Sequence, residues 1–188
     1  MKPIHLIPLA NGAGAGAGWA HEPELSLLEQ LAASLARTFR TPCRIRPDRF
    51  DLSFSRDERR NQYYSTAIIQ RLERAADPDA RVLGVTACDL FVPVLTFVFG
   101  EAQLGGNCAV VSTARLNEEF YGLPRREEML LERLIKEAAH ELGHTFGLRH
   151  CMDWRCVMAS SHAVERLDVK GADFCKACRT TIVEEGYW

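Results

Sequence analysis

The feature that most constrains this 188-residue chain is a string with three histidines at residues 140–150, His-Glu-Leu-Gly-His-Thr-Phe-Gly-Leu-Arg-His. His140 and His144 are four residues apart, so on an α-helix they lie one turn apart and about 40° apart around the axis. Two imidazole nitrogens at this spacing can bind one ion. Gly147 can adopt a positive φ and turn the chain, which would bring His150 back as a third ligand. The string therefore predicts a metal site with three histidines and one open coordination position.

The residues around this string have the signals of a long helix that starts at Pro124 and ends at about Gly147. Proline and acidic residues favour the first turns of a helix, and glycine favours its end. The apolar residues recur at helical spacing, and the two helical histidines project roughly opposite to them. The predicted apolar arc consists of Leu131, Leu134, Ile135, Ala138, Leu142 and Phe146.

Glu141 lies beside the histidines and completes a known arrangement of metallopeptidases. Zinc held by three neutral histidines can lower the pKa of a bound water to about 7. Glu141 is then placed to accept a proton from that water as general base and to pass it to a departing amine. A string HExxHxxGxxH followed by a turn with methionine is the metzincin signature, and Met158 stands eight residues after His150. The pattern predicts a peptidase that hydrolyses peptide bonds.

A second group of possible metal ligands follows immediately, since four of the seven cysteines lie between residues 151 and 178. Four thiolates make a closed tetrahedral site with no room for a substrate, so we predict a structural zinc. An iron–sulfur cluster and unrelated buried or oxidised cysteines are the alternatives. The four residues are Cys151, Cys156, Cys175 and Cys178.

The rest of the chain predicts strands at residues 3–9, 43–46, 81–87, 95–100 and 107–113, and helices at 22–40 and 57–76. The glycine-rich residues 11–18 predict a flexible loop. Strands that alternate with helices predict an α/β (α+β) fold, a sheet covered by helices. We expect one domain, 1–188, with an upper part at 1–147 and a C-terminal subdomain at 148–188 that contains the second zinc site.

Composition excludes several other classes of protein. The net charge is −2, from 23 basic and 25 acidic residues, whereas a nucleic-acid-binding protein typically has an excess of basic residues. The chain has no apolar stretch of about 18 residues, so we expect no membrane span. Seven cysteines, an odd number, argue against a disulfide framework, and thiolate ligands suit a reducing compartment such as the cytoplasm. The other three cysteines are predicted to be small core residues: Cys43, Cys88 and Cys108.

At these motifs the sequence resembles the archaemetzincins, a family of metzincin-clan metallopeptidases. The resemblance is carried by HExxHxxGxxHC at 140–151, CxM at 156–158 and CxxC at 175–178. It implies a metzincin-like twisted mixed sheet with helices, followed by a small C-terminal subdomain, and two zinc ions. Sixteen residues separate Met158 from Cys175, where the family pattern has seventeen. The implied residues are a catalytic zinc on His140, His144 and His150, Glu141 as base, a Met-turn at Met158, and a structural zinc on Cys151, Cys156, Cys175 and Cys178.

The resemblance also implies that the partner is a peptide or unfolded protein. It places residues 107–113 at the upper rim of the cleft, paired with an extended substrate. His162 is either a donor to the oxyanion or an exposed loop histidine, and we expect Tyr121 to be a packing residue. Two alternative functions stay open. One is a zinc-containing peptide-binding or regulatory protein with little turnover, and the other is a structural zinc protein whose histidine site a fourth protein ligand closes.

Overall fold

Two strands that are buried along their whole length form the centre of the main sheet. They are β6 (Arg81–Thr86) and β9 (Cys108–Ser112), which pair in parallel. Near-continuous apolar sequence is typical of parallel strands that are covered on both faces. On its other side β6 pairs in parallel with β1 (Ile4–Ala10). This arrangement is seen in a computed structural model of the chain, which describes residues 2–12, 23–46 and 50–184.

The remaining strands make the sheet mixed. Its order is β2-β1-β6-β9-β8, with β2 (Cys43–Ile45) at one edge and β8 (Gly100–Ala102) antiparallel to β9 at the other. β3 (Phe50–Asp51) also pairs with β1. A smaller sheet contains β4 (Arg56–Asp57), β5 (Gln62–Tyr64) and β7 (Leu90–Phe91). The predicted α/β class with a twisted mixed sheet is confirmed.

Helices cover both faces of the main sheet. α1 (Leu25–Phe39) and α3 (Glu127–Thr145) pack on one face, and α2 (Ser65–Ala75) packs on the other. Side chains alternate along each strand, so Leu83 packs with the first pair of helices and Val82 with α2. α3 is thereby fixed against the sheet beside the edge strand β8.

The C-terminal segment adds α4 (Val164–Val169) and α5 (Lys176–Glu184) and packs into the same core as α1 and α3. The Phe39 ring lies 5.2 Å from that of Phe146 and 5.5 Å from that of Phe174. The division of the chain at residue 147 stays a prediction. In the described part of the chain, every helix is too short or too polar to cross a bilayer.

Several predicted elements match closely, but the helix predicted at 57–76 begins later, at Ser65. Residues 56–64 instead form the β4–β5 hairpin. The Asp57 carboxylate accepts hydrogen bonds from the backbone N–H groups of Arg59 and Arg60, at 2.9 and 3.1 Å. Such local bonds compete with helix formation, which explains the error. Of the predicted glycine-rich loop, residues 13–18 lie outside the described residues, as does residue 22 of the first predicted helix.

Two predictions about the edge of the sheet were wrong. Residues 107–113 do form a strand, but β9 has a neighbour on each side and therefore cannot pair with a substrate. In the described part of the chain, the edge strand next to β9 is β8, and β2 forms the opposite edge. The strand predicted at 95–100 is also wrong, because the chain turns after Pro93 with a hydrogen bond from Leu95 N–H to the Val92 carbonyl, 3.0 Å. The apolar residues 95–99 lie instead along a cleft beside α3.

Candidate active site

The structure brings the three predicted histidines together at the end of α3. One ring nitrogen from each lies within 4.8 Å of the others, and the Nε2 atoms of His140 and His144 are 3.1 Å apart. Exposure rises along the set: His140 is buried, His144 is half-buried and His150 is exposed. The group is therefore anchored in the core at one end and open to solvent at the other.

Hydrogen bonds orient two of the three rings. His140 Nδ1 lies 2.9 Å from the Val157 carbonyl oxygen and His144 Nδ1 lies 2.7 Å from that of Leu148. A carbonyl only accepts, so each Nδ1 carries the proton and each Nε2 keeps its lone pair. Burial lowers the pKa of both imidazoles, which favours the neutral form that binds metals. Ligand type, spacing and protonation thus fit a zinc ion.

Two glycines let the backbone form this arrangement. Gly147 has a φ of +82°, as predicted for the residue that returns the chain to His150. At Gly143, between the two helical histidines, a side-chain Cβ would collide with Met158 Sδ. The buried Met158 thus packs against α3 at the turn between His140 and His144, and its role as a Met-turn stays a prediction.

The four predicted cysteines also come together, next to the histidines. Cys151 Sγ and Cys175 Sγ lie 3.8 Å apart, as do Cys156 Sγ and Cys178 Sγ. This is far from the 2.05 Å of a disulfide, but it equals the edge of a ZnS₄ tetrahedron with bonds of about 2.3 Å, about 3.8 Å. Backbone N–H groups also point at the sulfurs, and the N–H of Cys178 lowers the pKa of the Cys175 thiol. The donor set fits a closed zinc site.

The other three cysteines are distinct from this group. Cys88 and Cys108 are buried, as predicted, whereas Cys43 is half-buried at the edge strand β2. Burial raises the pKa of Cys43 to about 12 and that of Cys108 to about 11. The structure describes all seven cysteines, and they form no disulfide bond.

Glu141 lies between α3 and the edge strand, where only a glycine leaves room for it. A Cβ at Gly100 would lie 2.6 Å from Glu141 Cγ and 2.7 Å from the Val110 carbonyl oxygen. The Glu141 side chain is 5% exposed, and burial raises its pKa well above the ordinary value. Its carboxyl nonetheless lines the same cleft as the histidines. Glu141 is therefore held in a tight slot that opens toward the three imidazoles.

The cleft is a cavity of about 670 Å³. Its lining includes β8 with the largely apolar residues 95–99 before it, and also the histidines and residues 160–162. Arg115 supports the apolar wall, since its guanidinium stacks 4.1 Å from the centre of the Phe97 ring and forms a bidentate ion pair with Asp89 at 2.7 and 2.8 Å. The cleft can accommodate an extended apolar segment.

His162 and Tyr121, the two further candidate residues, have different positions relative to the cleft. His162 lines the cleft and is exposed, and its Nε2 lies 3.3 Å from Ser160 Oγ. Tyr121 lies outside the set of residues that line the cleft and donates a hydrogen bond to the Arg115 carbonyl, 3.0 Å. Tyr121 is exposed, and its assignment as a packing residue stays a prediction.

Sequence reasoning missed three charged residues around Glu141. Glu137 lies one helical turn before it, and Lys170 approaches from the C-terminal segment. Glu101 on β8 lines the cleft, and its carboxylate accepts hydrogen bonds from the hydroxyls of Ser65 and Thr66. The one available signal was Glu137, an acidic residue four positions before Glu141 on the same helix. The other two depend on tertiary contacts.

Comparison with known proteins agrees with this geometry. A family model described as peptidase family M54 matches residues 57–184, which is more than half of the chain. The chain belongs to this family. The archaemetzincin of Methanocaldococcus jannaschii is 44% identical over 129 residues, which is 69% of this chain and 70% of the relative. The archaemetzincin of Archaeoglobus fulgidus is 39% identical over 156 residues, 82% of this chain and 90% of the relative.

Solved structures of M54 relatives extend the match to the whole fold. A crystal structure of the Archaeoglobus fulgidus archaemetzincin, complexed with malonate, has a TM-score of 0.78 at 35% identity and covers 95% of this chain and 99% of its own. That of the Methanopyrus kandleri archaemetzincin has a TM-score of 0.81 at 32% identity, with 100% and 96% covered. The chain is therefore an archaemetzincin-type zinc metallopeptidase.

Proposed function

We propose that the chain hydrolyses peptide bonds in the cleft beside β8, with Glu141 as general base and the zinc on His140, His144 and His150. The observation that carries this proposal is the convergence of three neutral imidazoles and one carboxyl on one wall of the cleft. Among the described residues, the group that could hold this metal contains three side chains, which leaves a coordination position for water or substrate. A structural site closed by a fourth protein ligand is therefore disfavoured.

The residues of the chain divide the chemistry between them. Zinc, when bound, supplies a Lewis acid that polarises a carbonyl and makes water more acidic. Glu141 accepts the proton of the attacking water and hands it to the nitrogen of the departing amine. Its tight slot against Gly100 keeps the carboxyl near the imidazoles and out of bulk solvent.

The substrate we propose is a peptide or an unfolded protein segment that pairs with β8. Among the residues that the structure describes, this strand has one neighbour in the sheet, so its outer backbone groups are available to bond an extended chain. Apolar residues 95–99 continue the same wall and favour an apolar side chain next to the bond that is cut. A folded domain would not present such an extended segment.

The four cysteines hold a second, structural zinc in this proposal, which makes two ions per chain. The 3.8 Å spacing of the sulfurs supports it. Thiolate ligands persist in a reducing compartment, which is why we place the protein in the cytoplasm.

Replacing Glu141 by glutamine tests the proposed mechanism. Loss of a general base slows hydrolysis by about 100- to 10,000-fold, and the amide keeps the shape of the slot. We expect Glu141→Gln to bind zinc as the parent does and to leave a peptide library uncut. Glu132→Gln is the matched control, because Glu132 lies on the solvent side of the same helix.

Two outcomes would change the assignment. Cleavage by Glu141→Gln at the parent's rate contradicts the role of Glu141. A parent that binds library peptides and cuts none of them supports the alternative of a peptide-binding protein with little turnover.

A further inference from the structure

Arg81, the first residue of β6, is a buried arginine that contacts the end of α3. It is 3% exposed. Its Nη1 donates one hydrogen bond to the Thr145 carbonyl, 2.8 Å, and another to the Gly106 carbonyl, 2.9 Å. Its guanidinium also stacks on the Phe146 ring, with Cζ 3.8 Å from the ring centre. One planar group thus joins the end of α3 to the turn between β8 and β9.

The end of α3 is the segment from which two of the three histidines extend. The helix ends at Thr145, one residue after His144, and the chain then turns at Gly147 to reach His150. The last carbonyls of a helix have no partner within it, and a buried carbonyl without a donor is unfavourable. Arg81 supplies a charged donor for the buried Thr145, and such hydrogen bonds are stronger than neutral ones. Arg81 therefore fixes the helix end beside the histidines.

The turn at residues 103–106 bonds the same helix end directly. The N–H of Gly105 donates to the His144 carbonyl, 2.9 Å. Gly105 has a φ of +70°, which glycine adopts without strain, and the N–H of Gly106 closes the turn on the Gln103 carbonyl, 3.0 Å. Leu104, in the same turn, lines the cleft. The turn thus contacts α3 one residue before the carbonyl that Arg81 bonds.

Arg81 and the turn at 103–106 together form a bridge between β8 and the end of α3. β8 contains three residues, and in the described part of the chain β9 is its one neighbour in the sheet. A strand held this sparsely depends on contacts beyond its ends for its position. Two hydrogen bonds from Arg81 and one from the N–H of Gly105 provide such contacts. The bridge therefore ties the strand that precedes the turn to the helix end that carries the histidines.

We propose that Arg81 is a positioning residue that sets the spacing between β8 and the zinc-binding end of α3. This inference rests on the proposed function, in which a peptide pairs with β8 while the three histidines hold zinc. Without the bridge, the strand and the helix end can move relative to each other, so both zinc binding and peptide binding weaken. The proposal gives β6, which lies outside the lining of the cleft, a part in the reaction.

Replacing Arg81 by methionine tests the proposal, because it removes both donors and keeps an unbranched side chain. Loss of a group that orients metal ligands changes metal affinity by about 10- to 100-fold. Since Arg81 acts through the backbone, we expect the lower value, about 10-fold faster release of the histidine zinc to a chelator. Release of the cysteine zinc should keep the parent's rate, and His144→Ala, which leaves the cysteine zinc alone, identifies the two phases. KM for an extended peptide should rise by about 10-fold, because bonds between strand and peptide are lost.

Arg133→Met is the matched control for loss of a buried arginine. Arg133 is also 3% exposed, and it forms a bidentate ion pair with Asp168, at 2.7 Å for both bonds, and donates to the Leu116 carbonyl, 2.9 Å. These contacts lie outside the lining of the cleft. We expect Arg133→Met to lower the unfolding temperature at least as much as Arg81→Met, with both zinc release rates and KM as in the parent. Arg81→Lys, which restores a donor, should regain part of the loss.

A pair of glycine substitutions tests the other half of the bridge with little risk to folding. Gly105 and Gly122 have φ values of +70° and +75°, and at both a Cβ would meet no described atom within 4 Å. Alanine is strained at either position, so the unfolding temperature should fall by a similar amount in both variants. Gly105→Ala should also release the histidine zinc about 2- to 3-fold faster, the effect of one weakened hydrogen bond. Gly122→Ala should release it at the parent's rate.

Zinc release needs no turnover, so it tests the inference even if the parent cuts no peptide. Faster release of the histidine zinc from Arg81→Met and Gly105→Ala, in a parent without activity, supports the positioning role and counts against the proposed function alone. Release at the parent's rate from both variants overturns the positioning role whether or not the chain is a peptidase. Equally accelerated release of the cysteine zinc, or an unchanged KM in an active Arg81→Met, also overturns it. If Arg81→Met fails to fold, Gly105→Ala against Gly122→Ala decides.

Discussion

The histidine and cysteine groups lie next to each other in the chain, yet they differ in the property that decides what a metal can do there. The histidines run from a buried residue to an exposed one and line a cleft of about 670 Å³. The cysteines contribute four sulfurs, enough to fill a tetrahedron, and two of them are buried. The first arrangement leaves room for a substrate, and the second leaves none. Openness, more than ligand affinity, distinguishes a site for chemistry from a site for folding.

Loss of one ligand from each group should have unequal effects on stability. A structural zinc contributes its binding free energy to folding, so we expect Cys175→Ser to lower the unfolding temperature by about 10 °C or more, at about 2–4 °C per kcal/mol. His150 is exposed and lies at the mouth of the cleft, so His150→Ala should cost about 4 °C or less. Thermal unfolding of both variants, each loaded with zinc, measures the difference. A larger fall in unfolding temperature for His150→Ala than for Cys175→Ser would contradict the assignment of the two sites.

Gly143 lies between two of the histidines and Met158 follows Cys156, so a substitution at Gly143 tests the contact between these two segments. Glycine to alanine within a helix usually stabilises by about 1 kcal/mol. Here the added Cβ would collide with Met158 Sδ, and overpacking of this kind costs about 1–3 kcal/mol. We therefore expect Gly143→Ala to be destabilising by about 1 kcal/mol, measured by denaturant unfolding. The Met158→Ala variant provides the control, since in that background the same substitution should regain its usual stabilising sign.

Thiol reactivity compares the four clustered cysteines with the cysteines outside the cluster. Of these predictions, we expect it to give the smallest effect. Burial raises the pKa of Cys43 to about 12 and of Cys108 to about 11, so at pH 8 almost all of both thiols stay protonated and unreactive. Deprotonation, and with it reactivity, increases only as the pH approaches those values. A chelator should expose four further thiols to an alkylating reagent. Mass spectrometry should then locate the new label at residues 151–178, and early label at Cys43 would contradict this account.

The sequence was most informative where function depends on neighbours in the chain. The spacing of His140 and His144 and the glycine at 147 are local features, and the structure shows the geometry they predicted, with φ +82° at Gly147. The grouping of the four cysteines could be predicted equally well, because the spacing of the pairs is that of a known metal-ligand pattern.

Features that depend on distant contacts could not be predicted. Strand propensity identified residues 107–113 as a strand but cannot give its place in the sheet, so the free edge was assigned to the wrong strand. Lys170 is 33 positions from Glu137, and only the path of the C-terminal segment brings them to 3.7 Å. The apolar residues 95–99 resemble a strand in sequence because a cleft wall and a buried strand select the same side chains.

Zinc content per chain tests the central claim most directly, because the account requires one open and one closed site. Elemental analysis of the purified parent should give two zinc ions, and Cys151→Ser and His144→Ala should give one each. The ion left in Cys151→Ser should exchange quickly with a chelator, whereas the ion left in His144→Ala should exchange slowly. One zinc in the parent, or two in either variant, would contradict the account.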